Sequence, residues 1–364
     1  MTLHLWLSDL VNYSAQIAAI IAIGSLAPWL LRVRRPDAML AYRQLLLAAC
    51  LLLPFLQSWK RPAIESSSEE SIEATTITSA TLPARHGPTL EETAAFLLCA
   101  GILARFCWLA IGLLRLRSHQ HRAERLTPLP PVFEDLQWSL GVRPTIGLST
   151  EVSGPVTFGI RDPVILLPAR FLEMPAGAQE AIACHEMAHI RRGDWTYTIL
   201  EEIIRALFWF HPCVWWLLGQ IQLTREQAVD GEVIAITASR EQYISALLAV
   251  ARGRLQPDLA PAPSFLQRSH LSQRVALLLK EVSMSKQRLL SSLAAICGAL
   301  LVTARLAVFY FPISAPAQEV VKGEANLLHR SPLEYPADAI VSTARLAPLI
   351  EPPLVRSIPS LRHW

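Results

Sequence analysis

Charge is what this sequence has least of. Asp, Glu, Lys and Arg make up 17% of the 364 residues, against about 25% in a soluble domain, while apolar side chains reach 52%. The formal net charge is only +3, and the arginines cluster beside apolar segments, so direct nucleic-acid binding is not expected. Cysteine is sparse as well. Cys50, Cys99, Cys107, Cys184, Cys213 and Cys297 all lie in or beside apolar stretches. A disulfide framework is not expected from that placement, and the lack of any CxxC pair speaks against a cysteine-only zinc site.

What the sequence has in quantity is long apolar runs. Residues 11–31, 40–59, 93–114 and 289–311 approach or reach the length that a helix needs to cross a bilayer of roughly 30 Å, about 20 residues. The first run is too long, and too polar at its start, for a cleaved signal peptide. Arg32, Arg34, Arg35 and Arg43 follow the first run, and Arg115, Arg117, Arg122 and Arg125 follow the third. The loop between the second and third carries Glu65, Glu69, Glu70, Glu73, Glu91 and Glu92. Positive charge collects on the cytoplasmic side. The N-terminus and loop 60–92 are therefore expected outside, with residues 115–288 inside and the tail from Pro312 outside. Arg105 and Arg305 fall within spans; Arg105 is expected to pair inside the bundle and Arg305 to snorkel to the surface.

Between the third and fourth runs the chain changes character. Residues 145–149, 156–160 and 164–167 read as short strands, with Gly154-Pro155 and Arg161-Asp162-Pro163 as turn signals. Residues 176–191, 224–238, 242–252 and 271–281 read as helices.

The first of these helices carries the chemistry: His185-Glu186-Met187-Ala188-His189 lies within 176–191. Histidines four residues apart project from one helix face and can share a metal. Zinc held by three protein ligands keeps a fourth position for water, and Glu186 is placed to take that water's proton. Glu226 is the best third ligand. Asp230, one turn on, is expected to hold an imidazole N–H, that of His185, and Asp194 is a second candidate for such a role. Two histidines and a glutamate on an Ala-rich apolar helix would be costly without a partner, which separates this match from a chance surface pattern. His211, among aromatics and before Pro212, is open between an oxyanion donor, an alternative ligand and a hydrogen-bonded core histidine. Residues 206–218 are too short and too badly placed to cross the membrane, because a crossing would put Glu226 on the opposite side from His185 and His189. A re-entrant or surface-lying segment is expected instead.

The run from Gly154 to Asp230 resembles the BlaR/MecR-type antirepressor membrane metallopeptidases, and in outline the HtpX-type and CAAX-prenyl membrane gluzincins. The resemblance is carried by Ser153-Gly154-Pro155-Val156-Thr157-Phe158-Gly159, Pro163-Val164-Ile165-Leu166-Leu167-Pro168, the His185–Asp194 segment, Phe210-His211-Pro212-Cys213-Val214-Trp215-Trp216 and Arg225-Glu226-Gln227-Ala228-Val229-Asp230. It implies one zinc per chain on His185, His189 and Glu226, with Glu186 as acid and base. It also implies that Val156, Thr157, Phe158 and Gly159 form the strand edging the substrate cleft. Val229 stands where these proteins commonly have cysteine. The tail after the fourth run is too short for a penicillin-binding sensor domain, so β-lactam sensing is not expected.

The fold expected is a mainly α membrane protein: four transmembrane helices with an inserted α+β, gluzincin-like zinc metallopeptidase domain carrying a small β-sheet. Its parts are a membrane domain at 1–116, a cytoplasm-facing peptidase domain at 117–288, a fourth transmembrane helix at 289–311 and an external proline-rich tail at 312–364. The location expected is the bacterial inner membrane. The partners expected are a protein or peptide substrate, with a transcriptional repressor as one candidate, and membrane lipid; a homodimer stays open. Three functions compete: a regulatory protease acting on a cytoplasmic regulator, a housekeeping protease clipping membrane proteins, and a non-catalytic signalling scaffold. Intact Glu186 speaks against the scaffold, since a structural metal site needs no general base.

Overall fold

Each of the four apolar runs forms a long helix in the computed structural model, which describes residues 3–33, 35–56, 89–253, 271–279 and 285–313. They are α1 (Leu3–Leu30), α2 (Pro36–Leu56), α3 (Leu90–Arg122) and α10 (Lys286–Tyr310). All four are long and apolar enough to cross a membrane. Helix α3 runs past the expected end at residue 114 because no breaker follows, and it stops at Ala123, which turns to extended backbone. Its start is fixed by a capping box: the Thr89 hydroxyl accepts from the Glu92 N–H, and the Glu92 carboxylate accepts from the Thr89 N–H at 2.9 Å. The acidic loop lies outside the described residues up to residue 88. So do the tail from residue 314 and the end of the helix expected at 271–281.

Inside this frame the remaining elements are β1 (Glu124–Arg125), α4 (Pro131–Leu140), β2 (Thr145–Ser149), β3 (Val156–Phe158), β4 (Val164–Pro168), α5 (Ala176–Arg192), α6 (Asp194–Leu207), α7 (Pro212–Thr237), α8 (Arg240–Gly253) and α9 (Leu271–Leu278). The strands make one mixed sheet in the order β1-β2-β4-β3. β2 and β4 run parallel, while β1 and β3 are antiparallel to their neighbours. The apolar, β-branched β4 is buried along its whole length, as a central strand requires. β3, paired with β4 alone, is left at the edge.

Helix α5 packs against α4, α7 and α8, and Ala181, Ala183, Cys184, Met187 and Ala188 are buried in the resulting core with Phe133, Ile165 and Phe171. Its run of alanines lets these neighbours come close. It ends at Gly193, whose φ of +68° is the left-handed conformation that closes a helix, its N–H bonding back to His189 O and Ile190 O. Asp194 then opens α6 at once.

The segment 206–218 is divided by a turn at Phe208–Phe210, so it does not form one span-length helix. The helix expected at 224–238 in fact begins at Pro212 and continues unbroken to Thr237, 26 residues. Proline is suited to the first helical turn, and its neighbour His211 caps that turn through Nδ1, which accepts from the Val214 N–H at 3.4 Å. At about 1.5 Å per residue, α7 is about 39 Å long, and it serves two cores. Val214, Leu217, Leu218 and Ile221 pack with α1, α2 and α10, while Val229 and Val233 pack with α5. Arg43 of α2 grips α7 from the side, donating to Gln220 O at 2.8 Å and to the Thr224 hydroxyl.

Arg105 meets an aromatic within the bundle. Its guanidinium lies 4.7 Å from the centre of the Trp215 ring, which Arg205 also approaches, and Arg205 is paired with Glu202 at 3.2 Å. Arg305 is exposed on α10.

Candidate metal centre

α5 and α7 lie side by side, and this brings together residues 41 positions apart. His185 and His189, one turn apart on α5, present their Nε2 atoms 3.2 Å from each other. Glu226 on α7 faces both: its Oε2 is 3.5 Å from His185 Nε2, and its Oε1 is 3.6 Å from His189 Nε2. One ligand atom from each of the three lies within 4.8 Å of the others.

The surrounding hydrogen bonds decide which atoms these rings offer. His189 Nδ1 sits 2.8 Å from Asp194 Oδ2. A carboxylate only accepts, so Nδ1 carries the proton and Nε2 is left with its lone pair. His185 Nδ1 lies 2.9 Å from the Tyr243 hydroxyl, which itself donates to Asp230 Oδ1 at 2.5 Å. The phenol proton is thus committed to Asp230, and Nδ1 of His185 must donate to the phenol oxygen. Its Nε2 is again a bare lone pair. Two imidazole lone pairs and a carboxylate pointed at one spot repel one another and suit a cation. Nitrogen and oxygen donors of this kind fit zinc among the common metals.

The expected bond from Asp230 to His185 is therefore relayed. Asp230 Oδ1 is 3.7 Å from His185 Nδ1, beyond direct bonding, with Tyr243 between them. Asp194 bonds directly, and it is steadied by Arg225, whose guanidinium lies 3.6 Å from it and also bonds Glu201. Burial lowers the His189 pKa, but the nearby Glu226 and Asp194 carboxylates outweigh it and raise the value. Burial would raise Glu226, yet the Arg274 charge beside it, followed by the two histidines, holds its carboxyl well below the usual range.

Arg274 and Tyr243 are the residues that the sequence reading missed. Arg274, on α9, bonds Glu226 Oε2 at 2.9 Å and holds both oxygens of Asp230, with Nε at 2.9 Å and Nη2 at 2.5 Å. A signal did exist: a second carboxylate one turn after Glu226, on a helix buried on that face, demands a cation. The single arginine of the apolar α9 was the one to find.

Glu186 is 9% exposed at the mouth of the site. Its Oε2 accepts from the Thr157 hydroxyl at 2.5 Å, so the general-base candidate touches the edge strand β3. Val156, Thr157 and Gly159 line the same cleft of about 550 Å³ as His185, Glu186, His189 and Glu226, and Leu247, Leu248 and Val250 of α8 form an apolar wall. Phe158 points away into the core, against Trp195. Gly159 has a φ of +100°, and a Cβ there would meet the carbonyl of Asp162. His211 is not among the residues lining the cleft. It is 4% exposed, and its Nε2 donates to Ser14 O at 3.1 Å while Nδ1 caps α7.

Residues 14–278 match the family described as BlaR1 peptidase M56, and the chain belongs to that family. It is 28% identical over 115 residues to the regulatory protein BlaR1 of Bacillus licheniformis, a match that covers 28% of this chain and 19% of that protein. It is 27% identical over 101 residues to the methicillin resistance mecR1 proteins of Staphylococcus aureus (strain Mu50) and Staphylococcus epidermidis, covering 28% of this chain and 17% of theirs. The matches thus span less than a fifth of the length of these relatives. The resemblance read from the motifs holds at the level of the family, and the described residues include a His-His-Glu group able to hold a metal.

Proposed function

We propose that this member of the BlaR1 peptidase M56 family is a zinc endopeptidase of the bacterial inner membrane that cleaves a cytoplasmic regulator, a transcriptional repressor being the leading candidate. The observation that carries the reading is the convergence of two bare imidazole lone pairs and one carboxylate beside Glu186 and an edge strand. The regulatory character is taken from the printed name of the Bacillus relative. In this proposal residues 1–116 and 289–311 are membrane parts, the N-terminus is outside, and residues 117–288 face the cytoplasm.

His185, His189 and Glu226 would hold one zinc per chain. Zinc bound there supplies a Lewis acid that polarises a carbonyl and makes water a competent nucleophile near neutral pH. The substrate adds to the outer edge of β3 as an extended strand, its backbone bonding to that of residues 156–159. Glu186 takes a proton from the attacking water as the oxygen adds to the scissile carbonyl carbon. It gives that proton to the amine nitrogen as the C–N bond breaks. Thr157 occupies Oε2 of Glu186, which orients the carboxylate and leaves Oε1 for the proton. Asp194 and Tyr243 hold the two imidazoles in the tautomers that direct Nε2 inward.

The test compares cells carrying the wild-type chain with cells carrying Glu186→Gln, reading protein fragments by mass spectrometry. Fragments of a cytoplasmic regulator should appear only with Glu186 intact. Identical fragment sets would sink the protease reading, and fragments of many membrane proteins would turn it toward housekeeping.

A further inference from the structure

The Arg274 guanidinium holds Glu226 from outside. Arg274 Nη1 bonds Glu226 Oε2 at 2.9 Å, while Nε and Nη2 clamp Asp230. Asp230 is fully buried, and the Arg274 side chain is 13% exposed. Tyr243 joins the same cluster, 3.4 Å from Nη2, and passes the contact on to His185. These bonds run as a chain, His185–Tyr243–Asp230–Arg274–Glu226, which ties an α5 histidine to an α7 glutamate through α8 and α9.

We propose that Arg274 is a positioning residue for Glu226: its guanidinium holds Oε2, which lies 3.5 Å from His185 Nε2, and so sets Oε1 at 3.6 Å from His189 Nε2. This rests on the metal reading given above. A planar fork can bond Asp230 on one side and Glu226 on the other at the same time. With Oε2 bonded to Arg274 the Glu226 carboxylate cannot swing, and its plane is fixed before any ion arrives. A lysine could supply the charge but not the fork, since its ammonium is a single point on a flexible stem. Asp230 in turn fixes the guanidinium, so the aim of Glu226 does not depend on the mobility of a long side chain.

The rival account is that Arg274 only neutralises the buried Asp230, and the two accounts part in the following experiment. Full-length protein is purified in lipid nanodiscs as wild type, Arg274→Lys, Arg274→Gln and the double variant Asp230→Asn/Arg274→Gln, which removes the buried charge pair together. Zinc(II) affinity is measured by chelator competition, and the visible spectrum is recorded after loading with cobalt(II). Outer-shell losses of this kind weaken metal binding about 10- to 100-fold. Arg274→Lys is expected near the lower end and Arg274→Gln near the upper, each with an altered cobalt spectrum, a reduced kcat and an unchanged KM. The double variant is expected to stay weak in zinc even though no buried charge remains unpaired. Wild-type zinc affinity and cobalt spectrum in Arg274→Lys, or in the double variant, would overturn the proposal. Failure of the underlying metal reading looks different: the wild-type chain would take up no zinc, or His189→Ala would keep it.

Discussion

Asp194→Asn is the sharpest perturbation of the site, because it keeps shape and volume while removing the negative charge and one acceptor oxygen. In the native protein His189 Nδ1–H donates to Asp194 Oδ2 at 2.8 Å, with the carboxylate 8% exposed. An asparagine has two ways to sit there, and both are worse. With its carbonyl toward His189, the tautomer is kept, but the NH2 group turns toward Arg225, whose Nε lies 3.6 Å from the other oxygen. With its NH2 toward His189, Nδ1 must accept, the ring proton moves to Nε2, and the lone pair aimed at Glu226 is lost. A hydrogen bond to a charged group is worth roughly 1.5–3 kcal/mol, and about 1.4 kcal/mol is tenfold in affinity. Zinc affinity should therefore fall about 10- to 100-fold, with kcat falling alongside. Chelator competition on protein in nanodiscs measures the first, and peptide hydrolysis at saturating zinc the second. Undiminished zinc affinity in Asp194→Asn would refute the claim that this bond sets the His189 tautomer.

Other outcomes follow from contacts away from the metal. His211→Ala removes the cap on α7 and the Nε2 bond to Ser14 O, so stability should drop by about 1–3 kcal/mol while zinc affinity is unchanged; a loss of zinc binding in folded protein would return His211 to the site. A Cβ on Gly101 would fall inside the Trp209 indole, which donates to Leu98 O at 3.2 Å. Gly101→Ala should cost about 1–3 kcal/mol and be largely relieved in the pair with Trp209→Ala; additive losses would deny the contact. Burial pushes the Cys184 thiol up to about 12, so at pH 8 it is neutral and shielded. Iodoacetamide should modify Cys184 only after unfolding, and labelling of the native protein would mean that α5 opens.

How much of this was legible in the sequence depends on how local each constraint is. His185, Glu186 and His189 declare themselves through helical spacing alone. Glu226 required only that another carboxylate helix be near, and the short strands announced themselves by β-branched runs between prolines and glycines. Arg274 was out of reach of that logic, because its role arises from α9 packing on α7, a contact between segments with no shared period. Tyr243 was hidden for the same reason: an aromatic in an amphipathic helix reads as core, and its hydroxyl matters only once Asp230 and His185 sit on either side of it.

The continuity of α7 was also missed, and it changes how the molecule must work. The aromatic stretch and the carboxylate stretch looked like separate elements because one suits a membrane and the other a site. Yet between Pro212 and Thr237 nothing breaks the helix: Gly219 and Gly231 lower its propensity without bending it. One continuous helix therefore carries Leu217, Leu218 and Ile221, packed with α1, α2 and α10, and Glu226 of the candidate metal centre. Arg43 fixes it to α2 at Gln220 and Thr224, less than two turns before Glu226. No break in the helix separates those points from Glu226. Glu226 thus shares its helix with residues of the α1–α2–α10 core, whereas His185 and His189 belong to α5, packed in the other core. The distance between the two halves of the site is set by the packing of α5 on α7.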